Sequence, residues 1–177
     1  MDADVLQRII RDGQLRALPA LTRRDTALQF VPEMALTIVG SRRCGKTYRT
    51  YQHIDEWVAS GNSRENVCRL QFNDNRLLSL GGAALHEIDD AYYALYPGKR
   101  GREEVLFVFD EIHRLDGWED YVLALLEEPL QRVLITGSTA KLLRGDVASA
   151  LRGKSLPVRL WPFSFREFLR HLGIAEE

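Results

Sequence analysis

The chain is poor in cysteine: Cys44 and Cys68 are its two, and no CxxC pair occurs in 177 residues. Two thiols cannot build a disulfide framework, so both read as reduced side chains. No apolar run approaches the roughly 20 residues needed to span a bilayer. The N-terminus, Met1-Asp2-Ala3-Asp4, is acidic where a signal peptide would be basic. A cytoplasmic location and no membrane partner are therefore expected. The net charge is only -1, so the whole chain does not advertise nucleic-acid binding. Internal repeats and low-complexity segments are also lacking. What remains is 45% hydrophobic and 28% charged, the composition of a globular chain with a sizeable core.

Charge is unevenly spread. Lys141 to Arg170 holds seven Lys/Arg against two Asp/Glu, and Asp110 to Glu128 holds seven Asp/Glu against one Arg. Solvated faces explain both. The basic stretch 141–170 is alternatively a surface for nucleic acid or a protein partner.

Strand and helix patterns alternate. Short apolar runs at Met34–Val39, Val67–Phe72, Glu104–Asp110, Arg132–Gly137 and Leu156–Leu160 predict strands, several of them continuous enough to be buried on both faces. Helical patterns fall at Lys46–Ser60, about Ala83–Leu95, around Trp118–Leu125 and at Lys141–Leu151. Ser164 and Glu167 form an S-x-x-E capping box, with Phe163 and Phe168 at the staple positions, so a helix begins near Phe165. The first 20 residues read as helix, with Leu6, Ile9 and Ile10 on one face. The expected division is an N-terminal helical segment, 1–30, followed by one α/β domain, 31–177. Alternation of this kind predicts a parallel sheet with helices on both faces.

The chemistry concentrates at Gly40-Ser41-Arg42-Arg43-Cys44-Gly45-Lys46-Thr47, a full G-x-x-x-x-G-K-[ST] between a predicted strand and a predicted helix. Its glycines let backbone N–H groups close on a phosphate. Lys46, expected to be solvent-exposed, would reach the β- and γ-phosphates, and Tyr48 opens the helix behind it. The Thr47 hydroxyl would bind Mg²⁺. The strand Glu104–Asp110 ends in two acids. Asp110 would hold the metal and Glu111 would act as general base on water. Thr136, Gly137 and Ser138 end another strand, where a hydroxyl would sense the γ-phosphate or cap the following helix. Asn73-Asp74 reads as a turn, and His53, His86, His113 and His171 read as structural.

Together "GSRRCGKT", "FDEIHRLDGWED", "LITGSTAKLL", "ALRGK" and "LWPFSFREFL" resemble the AAA-type P-loop ATPase domain of the prokaryotic group related to the archaeal and STAND-like ATPases. The resemblance covers roughly 35–169. It implies a three-layer P-loop NTPase fold with a sheet of about five strands in the order 5-1-4-3-2, and ATP with Mg²⁺ as ligands. Members usually carry Arg after the glycine of L-x-G-R, where this chain has Lys154, with Arg152 two residues earlier. The chain is expected either to form a homo-oligomer in which one of these cations, Arg152 being favoured for its planar fork, completes a neighbour's site, or to use both only to solvate the end of the helix 141–151. Members also continue into C-terminal domains beyond the length of this chain. The expected function is Mg²⁺-dependent ATP hydrolysis, slow in the isolated chain. The competing expectations are a regulatory switch that holds ATP or ADP with negligible turnover, and a nucleic-acid-associated module. The adenine is expected near Leu21–Arg24.

Overall fold

The computed structural model describes residues 3–77, 84–138 and 151–174. Its elements are α1 (Ala3–Leu15), β1 (Ala35–Gly40), α2 (Lys46–Ala59), β2 (Val67–Gln71), α3 (Glu87–Leu95), β3 (Val105–Asp110), α4 (Trp118–Leu125), β4 (Gln131–Ser138), β5 (Ser155–Arg159) and α5 (Phe165–His171). The predicted helix 141–151 lies outside the described residues, apart from Leu151.

The five strands form one sheet in the order β2-β3-β4-β1-β5, with every neighbouring pair parallel. This is the expected order read from the opposite edge. A strand alternates its side chains between faces, and that parity divides the core in two. Val105, Phe107 and Phe109 of β3, Val133 and Ile135 of β4, and Cys68 and Leu70 of β2 pack with buried residues of α1, α3 and α4. Leu106 and Val108 of β3, Leu134 of β4, and Leu36 and Ile38 of β1 pack with Ile54 and Trp57 of α2. The same count carries Arg69, Asp110 and Thr136 onto the α2 face. Sequence runs without polar interruption are what a sheet covered on both faces requires.

α1 buries Leu6, Ile9 and Ile10 and lies on β2 and α3. It stops at Leu15 rather than near residue 20; Pro19 disfavours helical backbone at the residue before it. Residues 17–31 continue as an irregular strap, and Leu18, Leu28 and Phe30 pack against the α2-side core. α3 begins at Glu87, later than expected, with Glu87, Asp89 and Asp90 crowding the electropositive first turn. At α5 the expected capping box is complete: the Ser164 hydroxyl accepts from the Glu167 N–H, and the Glu167 carboxylate accepts from the Ser164 N–H.

Candidate functional site

The G-x-x-x-x-G-K-T stretch joins the C-terminal end of β1 to the start of α2. Gly40 is required by contact: a Cβ there would lie 2.4 Å from the Leu160 carbonyl oxygen and 2.6 Å from Cys44 Sγ. Cys44 turns its side chain into the core on the α2 side, while Ser41, Arg42 and Arg43 are exposed. Arg43 and Gly45 have φ of 64° and 96°. Positive φ at a residue with a side chain is local strain of the kind that clusters at functional loops. Gly45 caps α2 and has no side chain with which to bond the N–H groups of the first turn. Such an end suits an anion.

Lys46 is buried, not exposed as its position in the motif suggested. Its ammonium donates to the carbonyls of Gly40, at 3.2 Å, and Ser41, at 3.0 Å. The loop curls over its own lysine, which gives these carbonyls at the end of β1 a donor.

The acid end of β3 meets α2 directly. The Thr47 hydroxyl donates to Asp110 Oδ2 at 2.8 Å, and the Thr136 hydroxyl of β4 donates to Asp110 Oδ1. Thr136 Oγ1 in turn accepts the Glu111 N–H at 3.2 Å. One threonine thus positions both acids, and its hydroxyl is engaged rather than free to sense a phosphate. Asp110 is nearly inaccessible, and Arg69 Nη2 approaches its Oδ2 at 3.6 Å. Glu111 adopts a left-handed conformation, φ 61°, as the chain turns off the strand, which leaves its carboxylate partly exposed. His113 Nε2 lies 3.4 Å from Glu111 Oε2. Ser138 is paired with Gly40 across the β4–β1 ladder, so its backbone lies beside the first glycine of the loop.

The Thr47 hydroxyl and the Asp110 carboxylate fit a magnesium site. Mg²⁺ uses one or two carboxylates with water and phosphate rather than an all-protein cage. No group of three or more His, Cys, Asp or Glu side chains is gathered for a metal among the described residues. Arg69 already places a cation against Asp110, as a carboxylate shaped to receive one would permit.

Arg152 stands apart from this cluster. It is 77% exposed, and its guanidinium lies 3.9 Å from Asp120 of α4. Lys154 ties the turn to the sheet through its backbone: its carbonyl accepts the Ala35 N–H at 2.9 Å. Asn73-Asp74 forms the expected turn, with Asp74 accepting from the Arg76 N–H.

Arg24, expected only as the end of the stretch bordering the adenine, and Glu167, expected only as a cap, both back the loop. Arg24 lies behind the loop, 6% exposed. It donates to the Cys44 carbonyl at 2.9 Å, the Trp161 carbonyl at 2.6 Å and Glu167 Oε1 at 3.0 Å. Glu167 also accepts the Asp25 N–H. Burial pushes the Glu167 carboxyl up, but the bonds from Arg24, Ser164 and Asp25 outweigh it and hold the group at about 2. A capping glutamate therefore doubles as the counter-ion of the loop's backing arginine. Beside this clamp is a cavity of about 540 Å³, lined by Thr22, Arg24, Cys44, Tyr48, Phe163 and His171 among others. His171 and Thr22 are bonded across its wall at 2.8 Å, and the Phe163 ring lies under Arg24.

A profile of the AAA domain family matches residues 32–169. The chain is 33% identical over 167 residues to an uncharacterized protein of Methanocaldococcus jannaschii, covering 94% of this chain and 35% of that one. It is 32% identical over 155 residues to an uncharacterized protein of Haemophilus influenzae, covering 85% and 38%. It thus spans little more than a third of the length of these curated relatives. Among solved structures, C. elegans PCH-2 matches 99% of this chain and 48% of its own, at 13% identity and a TM-score of 0.47.

Proposed function

The chain belongs to the AAA domain family, and on that premise we propose that it binds ATP with Mg²⁺ and hydrolyses it. The observation that carries this reading is the bonded path Thr47–Asp110–Thr136–Glu111, which joins the phosphate loop to the acid end of β3. The phosphates take the N–H groups at the start of α2 and the Lys46 ammonium. Lys46 then exchanges two neutral carbonyls for an anion, and charge-assisted bonds are roughly twice as strong as neutral ones. Thr47 and Asp110 would hold Mg²⁺, which neutralises charge on the phosphate oxygens. Glu111 orients water and takes its proton. The cavity beside Arg24 accepts the adenine, between the strap and Phe163. Ser138 serves as a contact to the γ-phosphate or water, and Arg152 acts in trans on a neighbouring subunit, its exposure suiting that role.

Titration with a fluorescent ATP analogue tests the cradle. Lys46→Ala should weaken binding by at least about 100-fold, from the loss of charge-assisted bonds together with the loop geometry they hold. Affinity within a few-fold of wild type would sink the assignment. Because Lys46 bridges two loop carbonyls, this variant should also lose some stability. Glu111→Gln should keep binding and lose about 10²–10⁴-fold in single-turnover hydrolysis, the usual weight of a general base. The switch reading forecasts tight nucleotide binding with no phosphate released under excess ATP, and that measurement separates the two. Arg152→Ala mixed with Lys46→Ala should recover activity if the finger works in trans; no recovery in any mixture removes that role.

A further inference from the structure

Tyr48 also lines a second cavity, of about 220 Å³, between the end of α1, the first turns of α2 and the edge of β2. Its polar wall consists of Arg16, Arg64, Arg69, Thr47, Tyr48 and Tyr51, and no carboxylate among the described residues lines it. Arg16, Arg64 and Arg69 all line this small space, and like charges gathered in this way favour an anion among them.

Arg69 is the anchor of this group. It projects from β2 onto the α2 face with a side chain 10% exposed. It stacks on the Tyr51 ring at 4.5 Å and donates to Gln71 at 3.1 Å. Its Nε is buried and has no hydrogen-bond partner among the described residues. A buried donor left unmet costs about 1–3 kcal/mol, so the position is not explained by packing alone. Arg64 donates to the Arg16 carbonyl rather than to a carboxylate. Its own environment is unfavourable to charge: burial lowers its pKa, Asp55 raises it, and Arg69 lowers it again.

The geometry points to an oxyanion site in this cavity, beside the phosphate loop and sharing Thr47 with it, that takes inorganic phosphate between Arg16, Arg64 and Arg69. Guanidinium forks match a tetrahedral oxyanion through paired N–H donors, and the Tyr48 and Tyr51 hydroxyls supply further donors at the rim. Thr47 forms one wall, so the phosphate has two sources: solution, or nucleotide cleaved on the other side of Thr47. The binding site itself does not depend on hydrolysis; only the second source rests on the ATPase reading.

Calorimetric titration of the full chain with inorganic phosphate is the test, made in the Lys46→Ala background so that the phosphate loop contributes little. One saturable site per chain should remain. Adding Arg16→Gln and Arg64→Gln should weaken it at least about 10-fold, the weight of a lost bond to a charged group, with Arg64→Lys intermediate. Both residues lie at the surface end of the cavity, so this variant keeps the test open even if Arg69→Gln fails to fold. Absence of saturable binding in Lys46→Ala, or binding indifferent to the arginine substitutions, overturns the site. The source is read by following ADP and free phosphate in one turnover without Lys46→Ala. A lag between them that shrinks in the arginine variant assigns the phosphate to cleavage; an unchanged lag assigns it to solution. If ATP is not cleaved at all, the ATPase reading fails while the titration stands.

Discussion

Arg24 is buried and Arg69 partly so, both beside the start of α2, yet they are satisfied to different degrees. Arg24 has a carboxylate partner and two close carbonyl acceptors, and Glu167, its counter-ion, is itself bonded by two backbone N–H groups. Arg69 has one glutamine acceptor, a carboxylate at 3.6 Å that two threonines already occupy, and an Nε with none. A saturated arginine holds a shape. An unsaturated one keeps bonding capacity for something that arrives. The two sides of one helix therefore differ in kind: the strap side backs the phosphate loop, and the β2 side stays open to an anion.

Stability measurements break or sharpen this contrast. Arg24→Ala should have the largest effect, since removing one partner of a buried pair strands the other and costs about 3–5 kcal/mol. Arg69→Ala should cost far less, because Asp110 keeps both hydroxyl donors. Equal losses in urea denaturation would erase the distinction. The next effect is acid sensitivity. Glu167 is held at about 2, below its usual 4.5, so its contribution is complete above 4.5 and is lost as pH falls from there toward 2. Glu167→Gln should flatten that part of the stability profile, and a slope as steep as wild type would refute it. A comparable effect, at higher pH, belongs to His53, on the strap side of α2 against the Phe30 ring. Burial, then the nearby Arg49 charge, lowers it from 6.5 to about 4. The unfolded chain binds a proton there between 6.5 and 4 while the folded chain does not, so stability declines as pH falls through that window. His53→Leu should remove this decline from the denaturation midpoints; an unaltered decline would assign it elsewhere.

Local patterns were legible in the sequence, and distant pairings were not. The loop motif, the acids closing β3 and the capping box depend on residues within a few positions of one another. Period-two counting also places Asp110, Thr136 and Arg69 on one face once the strands are identified. The bond between Thr136 and Asp110 could have been foreseen from that count. The Arg24–Glu167 pair could not, because 143 residues separate its members and no spacing rule spans such a gap. Glu167 was recognisable only as a cap, and His171, in the wall of the larger cavity, only as a structural histidine. The burial of Lys46 was hidden for a related reason: its acceptors are backbone carbonyls, which every residue carries.

The bonds of Arg24 also bear on how the chain comes together during synthesis. Its partners lie at Cys44, then at Trp161 and Glu167. The N-terminal strap and the phosphate loop leave the ribosome early, but the carboxylate that neutralises Arg24 emerges more than a hundred residues later. A contact of such sequence separation is slow to close. Until it closes, an uncompensated guanidinium sits behind the loop. On the proposed reading of the loop, a chain still lacking Glu167 would hold that loop less firmly, so tight nucleotide binding would await the synthesis and docking of α5.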